Sequence, residues 1–107
     1  MYMSFNVKEA RDQLISSGYV FTLRKWDKYP KSCIAVTGNI KKRNVLGNVK
    51  VKKIDSDITD KEQLETYVIG SGFETVDEWW SVLVNFGLYD KGYTLYLVEG
   101  DNLNAKE

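Results

Sequence analysis

Apolar residues recur every three to four positions over residues 5–17, FNVKEARDQLISS, which predicts a helix. Ser4 or Asn6 would cap its start, because a side-chain oxygen there accepts a hydrogen bond from an unpaired N–H of the first turn. Gly18 would end the helix, since glycine adopts the left-handed conformation at low cost. The positions expected to face the core are Val7, Ala10, Leu14 and Ile15.

Elsewhere the apolar positions alternate with a period of two, which is the pattern of a strand with one buried face. The predicted strands lie at 20–25, 33–37, 49–52 and 93–99. Gly38 and Gly47 mark turns between them. The region around VKVK should therefore form a hairpin with one apolar and one cationic face.

Two capping boxes predict two further helices, because a Thr followed three residues later by Glu satisfies N–H groups at a helix start. The first pair is Thr59 and Glu62, opening a short helix that ends at Gly70. The second pair is Thr75 and Glu78, opening the helix TVDEWWSVLVNFG. Each cap contributes ~1 kcal/mol to helix stability, so we assign these carboxylates to structure rather than to acid–base catalysis.

This order of elements predicts an α+β fold. Mostly hairpin-joined strands favour a mixed, curled sheet, so we expect a small β-barrel with the three helices packed around it. No repeat or low-complexity linker divides the chain, which at 107 residues has the size of one domain. We therefore expect a single domain over 1–107, with its core at about 5–99 and a loose tail at 100–107.

Composition narrows the chemistry that such a domain could perform. The chain has no histidine and one cysteine, Cys33, which excludes histidine-based nucleophile systems, an intramolecular disulfide and multi-cysteine zinc modules. We expect Cys33 to be a buried small hydrophobe. No glycine-rich phosphate loop occurs, and the acidic stretch from Asp55 lacks the spacing of a calcium loop. No metal or cofactor is therefore predicted.

The hydrophobic content of 43% is enough for a core, and the apolar runs within it are short. These runs predict neither a membrane span nor a secretory signal. We therefore expect a cytoplasmic location and no membrane partner.

Charge is divided sharply along the chain, although the net charge is zero. Residues 20–54 carry ten Lys or Arg against one Asp, a net charge of +9, whereas residues 55–107 carry a net charge of −9. A basic half suits a polyanion such as nucleic acid. Lysines on strand edges also discourage edge-to-edge pairing. That alternative explains Lys50 and Lys52 but not the scarcity of acidic residues throughout the segment.

The strand VFTLRKW, residues 20–26, carries the first candidate binding residues, with Phe21 and Leu23 on its core face. On the other face, Arg24 offers a planar fork of donors to phosphate, and Trp26 offers a ring on which an unpaired base can stack. Alternatively, Arg24 pairs with a carboxylate, Trp26 packs under a helix, and the basic turn at 41–43 is a solvated loop. The residues predicted to contact nucleic acid are Thr22, Arg24, Lys25, Trp26, Lys28, Lys41, Lys42 and Arg43.

Four short motifs in chain order resemble the ASCH domain, a member of the PUA-like β-barrel superfamily. They are the TxR-like Thr22-Leu23-Arg24, then GNVKVKKI, then GFETVDEW, which is similar to an EGFxSxxEW element, and finally GYTLYLVE. The resemblance covers roughly residues 10–99. It implies a PUA-like barrel that binds RNA or a nucleotide, preferably single-stranded, in a cleft between the barrel and the helices.

Some members of the ASCH family are similar to amidohydrolases that act on acetylated cytidine through a Lys, a Thr and a Glu. On this chain the Thr falls on Thr22, the Lys on Tyr19 and the Glu on Ser71. Two of the three groups are absent, so we expect a binding module rather than an enzyme. The alternatives are a small amidohydrolase or nuclease acting on modified nucleosides or RNA, and a protein-binding adaptor or inhibitor whose acidic surface mimics nucleic acid.

Overall fold

The computed structural model describes residues 1–39, 41–85, 92–101 and 103. In chain order the elements are strand β1 (Tyr2–Ser4), helix α1 (Lys8–Ser17), β2 (Tyr19–Arg24), β3 (Ser32–Asn39), β4 (Lys42–Ile58), a 3₁₀ helix (Lys61–Gly70), helix α2 (Val76–Asn85) and β5 (Tyr93–Glu99). Within this described part of the chain, no helix is long and apolar enough to cross a membrane.

The five strands form one open sheet in the order β1-β3-β4-β5-β2. β1 runs parallel to β3, and the other neighbouring pairs are antiparallel. The sheet is therefore mixed, but the predicted closed PUA-like barrel is wrong, since the edge strands β1 and β2 do not pair. Closure needs a ladder of backbone hydrogen bonds between the edges, and β1 has only 3 residues with which to form one.

Strand β4 curls the sheet without closing it. At ~3.3 Å per residue it would extend over roughly 55 Å, and the longest axis of the molecule is 32 Å, so its 17 residues must bend. Register shifts occur opposite it between Ala35 and Val36 and again after Lys53, and such irregularities bend strands. Gly47 lies inside this strand with a φ of 147°, so the turn predicted there is wrong.

The side chains of the sheet pack into two buried clusters, one on each face. The first lies against α1 and includes Met3, Phe5, Leu14, Val20, Tyr96 and Val98. The second lies under the 3₁₀ helix and α2 and includes Leu23, Leu64, Trp79, Leu83 and Leu95. Phe21 and Leu23 belong to the second cluster, which confirms the predicted core face of β2. Val20 and Thr22 on the opposite face are also buried, so both faces of this strand are covered.

Helix α1 ends as predicted but begins differently. Gly18 adopts the left-handed conformation with a φ of 79°, which confirms it as the end of the helix. At the start, Val7 occupies the capping position and makes no side-chain hydrogen bond. The predicted caps, Ser4 or Asn6, are therefore wrong. The side chain of Asn6 forms hydrogen bonds with Gly38 in strand β3 instead.

The 3₁₀ helix is capped one residue later than predicted. The carboxylate of Asp60 accepts a hydrogen bond from the N–H of Glu62 at 3.4 Å, and Oε1 of Gln63 accepts one from the N–H of Asp60 at 3.0 Å. The predicted box of Thr59 and Glu62 is therefore wrong. The predicted end of the helix at Gly70 is confirmed.

The cap predicted for α2 is confirmed, since Oγ1 of Thr75 accepts a hydrogen bond from the N–H of Glu78 at 3.1 Å. This cap starts the helix that buries Trp79 and Leu83 in the second cluster. The last two residues predicted for this helix, 86 and 87, lie outside the described residues.

The first residues of the predicted tail contact the body of the protein. The N–H of Gly100 donates to the carbonyl of Gly18 at 2.9 Å. Leu103 packs against the first cluster and occupies the space where a side chain on Gly47 would stand. Residues 102 and 104–107 lie outside the described part of the chain.

Candidate functional site

A cleft of about 360 Å³ opens where the end of β2 meets the start of α1 and one side of α2. Thr22, Arg24 and Lys25 line it from β2 and the residue that follows. The aromatic side chains that line it are Phe5, Phe73, Trp79 and Tyr93. The volume lies near the lower end of the range for small-molecule sites, so the cleft is large enough for one small ligand.

Arg24 spans the gap between the two edges of the sheet. Its Nη2 donates to the carbonyl of Ser4 in β1 at 2.7 Å, and its Nε donates to Oγ1 of Thr22 at 3.2 Å. Its Cζ lies 4.9 Å from the centre of the Phe5 ring, within the range of cation–π attraction. Arg24 thus joins β2 to β1 where no backbone ladder does. Both acceptors are uncharged, although a carboxylate partner was left open by the sequence.

Burial lowers the pKa of the Arg24 guanidinium from its ordinary value, because the charged form loses hydration, and the nearby Tyr29 hydroxyl opposes this shift. Arginine nevertheless stays protonated in proteins. A guanidinium has five N–H donors, so the bonds to Ser4 and Thr22 do not saturate it. A partly dehydrated cation in the wall of a cleft favours an anionic ligand.

Trp26 and Lys28 do not line this cleft. Strand β2 ends at Arg24, so the predicted alternation does not continue to Trp26. Trp26 is 43% exposed, and the centre of its ring lies 4.8 Å from the centre of the Tyr29 ring in an edge-on arrangement. The backbone carbonyl of Trp26 accepts a hydrogen bond from the Tyr96 hydroxyl at 2.8 Å. Trp26 is therefore a surface residue anchored by its backbone, rather than part of a helix interface.

The basic turn comprises Lys41, in the turn between β3 and β4, together with Lys42 and Arg43, which are the first two residues of β4; all three are exposed. Oδ1 of Asn39 accepts hydrogen bonds from the N–H groups of Lys41 and Lys42, both at 2.9 Å. This arrangement fixes the backbone of the turn, because an Asn side chain can take the place of a backbone acceptor. The three cationic side chains are presented to solvent on a defined backbone.

Asn6 connects this basic turn to the cleft. Its side chain accepts a hydrogen bond from the N–H of Gly38 at 2.8 Å and donates to the carbonyl of the same residue at 3.2 Å. Asn6 itself lines the cleft. Gly38 has a φ of 89°, and a Cβ there would lie 2.0 Å from the Lys42 carbonyl oxygen, so only glycine fits this position. The basic turn is therefore held at the rim of the cleft.

Arg43 points back over the sheet from the basic turn. Its Cζ lies 4.2 Å from the centre of the Tyr2 ring. Tyr2 is 46% exposed, so this stacked pair lies on the surface. No pattern in the sequence predicts this pair, because Tyr2 precedes every periodic segment of the chain.

A wider groove of about 940 Å³ runs along a different part of the sheet and is lined by residues such as Tyr19, Ile34, Lys50 and Glu99. Cys33 also borders it but is only 4% exposed, which confirms the predicted small buried hydrophobe. Burial raises the pKa of its thiol above the ordinary value. A thiol held in its neutral form is a poor nucleophile.

The three positions of the amidohydrolase set are not brought together in the cleft. Thr22 lines the cleft, whereas Tyr19 lines the wider groove and packs edge-on against Phe21. Ser71 is fully buried, and its hydroxyl donates to the carbonyl of Val68 at 2.6 Å. These contacts provide a turn after the 3₁₀ helix rather than an acid or a base beside Thr22.

Sequence reasoning placed Thr22, Arg24 and Lys25 in the site but missed Asn6, Phe73 and the residues of β1. Phe73 occurs in the motif shared with the ASCH resemblance, so that motif was the available signal for it. In the described ranges, no group of three or more His, Cys, Asp or Glu side chains is placed to hold a metal ion.

Comparison of the chain with protein-family models, with curated proteins and with solved structures finds no match.

Proposed function

We propose that the protein binds an unpaired nucleotide, either free or within single-stranded RNA, in the cleft beside Arg24. The observation that carries this proposal is that two cationic side chains, Arg24 and Lys25, line the same small cleft as the partly exposed ring of Phe73. The rings of Trp79 and Tyr93 also border the cleft, but they are only 4% and 3% exposed. A nucleotide presents an anionic phosphate and a planar base, and these two features match guanidinium or ammonium donors and aromatic side chains.

The basic turn supplies the longer-range attraction. Its exposed residues Lys41, Lys42 and Arg43 are held at the rim of the cleft by Asn6. Cations that neutralise phosphates release bound counterions, so they strengthen binding in a manner that depends on salt. In this proposal, the turn contacts phosphates on either side of the nucleotide in the cleft. We also propose a cytoplasmic location, where RNA and nucleotides are available.

Filling the cleft tests the proposal without changing any charge. Ala10 lines the cleft from α1, whereas Ser16 is exposed on the same helix. We expect Ala10→Met to weaken the binding of AMP, CMP, GMP or UMP, measured by calorimetry at low salt, by at least about fivefold, because a base–aromatic contact contributes ~1–3 kcal/mol. Ser16→Met is the matched control and should bind like the wild type. Thermal melting of both variants reports whether they fold.

The proposal is wrong if none of the four monophosphates binds the wild type, or if folded Ala10→Met binds them with unchanged affinity. Binding by the wild type that Ala10→Met abolishes, with Ser16→Met intact, places the ligand in the cleft.

The dependence of binding affinity on salt distinguishes the contribution of the basic turn from that of the cleft. Replacing Lys41, Lys42 and Arg43 by Ala should reduce the slope of log affinity against log salt by ~0.7 for each phosphate contact removed, measured with a single-stranded oligonucleotide. Arg24→Lys should weaken binding even at low salt, because it keeps the charge but loses the planar fork. Equal slopes for the wild type and the triple variant would remove the turn from the binding surface.

A further inference from the structure

The sheet presents a second surface beside the cleft. Directly paired residues place their side chains on one face of a sheet, and the pairing puts Tyr2 beside Ile34, Val45 beside Val36, and Arg43 beside Gly38. Tyr2 is 46% exposed and Val45 is 50% exposed, so this corner of the face is open to solvent. Unlike the other end of the face, it is not covered by the 3₁₀ helix or by α2.

The charge of this corner is positive. Arg43 lies on it over the Tyr2 ring, and further along β4 the same face carries Lys50 and Lys52. Lys50 is paired with Glu99, so this face also carries an acidic side chain, in the row next to Tyr2 and Ile34. Near Tyr2 the surface combines a flat ring, a flat guanidinium and exposed aliphatic carbon. A nucleobase stacks on such a surface, and its phosphate is attracted by the cation.

This corner is continuous with the cleft. Ser4 lines the cleft and lies two residues after Tyr2 in β1, a separation of ~6.5 Å along a strand. Arg43 is paired with Gly38, which is the residue that Asn6 holds at the rim of the cleft. Two independent connections, one through β1 and one through Asn6, therefore set Tyr2 and Arg43 within one or two nucleotides of the cleft.

We infer that Tyr2 and Arg43 form a stacking platform for a second unpaired base of the strand whose neighbouring nucleotide occupies the cleft. The inference rests on the proposed function and makes it more specific. The ligand is a single strand of at least two nucleotides, and a mononucleotide uses only half of the site. The positive charge of the corner favours an anionic ligand, and its exposed ring and guanidinium favour a planar one, so a single strand with unpaired bases suits it better than an acidic protein surface does.

The experiment compares ligands of different length on the full chain. Affinities for uridine monophosphate and for oligouridylates of two and four nucleotides are measured by calorimetry at one low salt concentration. In the wild type, the step from one to two nucleotides should strengthen binding by at least about fivefold, the contribution of one stacked base. Tyr2→Ala should remove this gain and leave mononucleotide affinity unchanged. Tyr2→Phe should keep it, since phenylalanine retains the ring.

Two controls separate stacking from charge and from folding. Lys31→Ala removes an exposed cation that lies on neither the platform nor the cleft, and the gain with length should persist in it. Thermal melting of Tyr2→Ala should match the wild type, because the ring is half exposed. A strand carrying 5-bromouridine at one end should cross-link on irradiation to the peptide that contains Tyr2.

The outcomes distinguish the two proposals. Mononucleotide binding without any gain for longer strands overturns the platform and leaves the cleft proposal standing. Strand binding that Tyr2→Ala abolishes, with no mononucleotide binding in the wild type, supports stacking on Tyr2 but overturns the cleft proposal and the placement of the neighbouring nucleotide in the cleft. If Tyr2→Ala instead disrupts a dimer seen by light scattering and leaves strand binding intact, the corner is an interface between copies and the inference is wrong.

Discussion

Arg24 and Arg43 each lie over an aromatic ring, but they differ in burial and in hydrogen-bonding partners. Arg24 lies over Phe5 at 4.9 Å and Arg43 lies over Tyr2 at 4.2 Å. Arg24 is half-buried and donates hydrogen bonds to Ser4 and to Thr22. Arg43 is exposed on the basic turn. A cation–π contact alone therefore does not reveal the role of an arginine, because burial and hydrogen-bonding partners determine that role.

The difference follows from where each residue lies in the sheet. Arg24 is the last residue of the edge strand β2 and reaches the outer edge of β1, whose three residues pair with β3 but not with β2. A long donor side chain can cross that gap, whereas the two backbones do not pair. Arg43 is paired with Gly38 in the antiparallel ladder between β3 and β4, so the fold there does not depend on its side chain. One arginine therefore stabilises the edge of the sheet, and the other remains available to a ligand.

The largest expected effect is on stability at Arg24. Arg24→Ala should lower the free energy of unfolding by ~2–4 kcal/mol, since hydrogen bonds to a charged group contribute ~1.5–3 kcal/mol and the ring contact adds to them. Arg43→Ala should change it by less than about 0.5 kcal/mol, as is usual for surface substitutions. Urea denaturation of both variants measures the two values. Equal destabilisation would remove the distinction between the two arginines.

Arg24→Lys separates the charge of Arg24 from its directed hydrogen bonds, because it keeps a positive charge and most of the side-chain length. A single ammonium cannot reproduce the fork that reaches Ser4 and Thr22 together. The variant should therefore recover only part of the stability lost in Arg24→Ala. Full recovery would mean that charge at this position, rather than the two directed hydrogen bonds, stabilises the edge.

A smaller effect is expected at Asn6, which connects the two regions. Asn6→Ala removes two hydrogen bonds to Gly38 and should lower the free energy of unfolding by ~1–3 kcal/mol, at about 0.5–1.5 kcal/mol for each bond. Hydrogen exchange should become faster at the amide of Gly38 and should stay unchanged at the centre of β2. Asn6→Asp keeps the acceptor for the Gly38 N–H, so its free energy of unfolding should lie between those of the wild type and Asn6→Ala. Uniformly faster exchange across both regions would show that Asn6 does not act locally.

The smallest expected effect is on catalysis. Neither arginine region contains an acid and base pair next to Thr22, since Tyr19 and Ser71 occupy the other two positions of the amidohydrolase set. A phenol and an aliphatic hydroxyl do not replace the ammonium and carboxyl groups of the complete set as acid or base. We expect incubation with acetylated cytidine to release acetate no faster than buffer does. A protein with the complete Lys, Thr and Glu set is the positive control, and comparable turnover would contradict the prediction.

Local features of the sequence determined the elements and several of their ends. The period of the apolar residues located α1, β2, β3, β5 and part of β4, and it identified Phe21 and Leu23 as core residues, but it did not predict β1 or the full length of β4. Gly18 and Thr75 were identified as helix ends, because the chemistry of a cap involves residues only three or four positions apart. Where two neighbouring residues competed, as at the 3₁₀ helix, the pattern misplaced the cap by one position.

The tertiary structure decided what depends on contacts between distant residues. The sheet stays open because β1 pairs only with β3 and Arg24 crosses to Ser4, a contact between residues 20 positions apart. Asn6 bonds to Gly38 across 32 positions instead of capping its own helix. Periodicity records which face of a segment is apolar, but it does not record which other segment lies against that face. The cleft and the contact between Arg43 and Tyr2 depend on how distant segments pack together, which periodicity does not record.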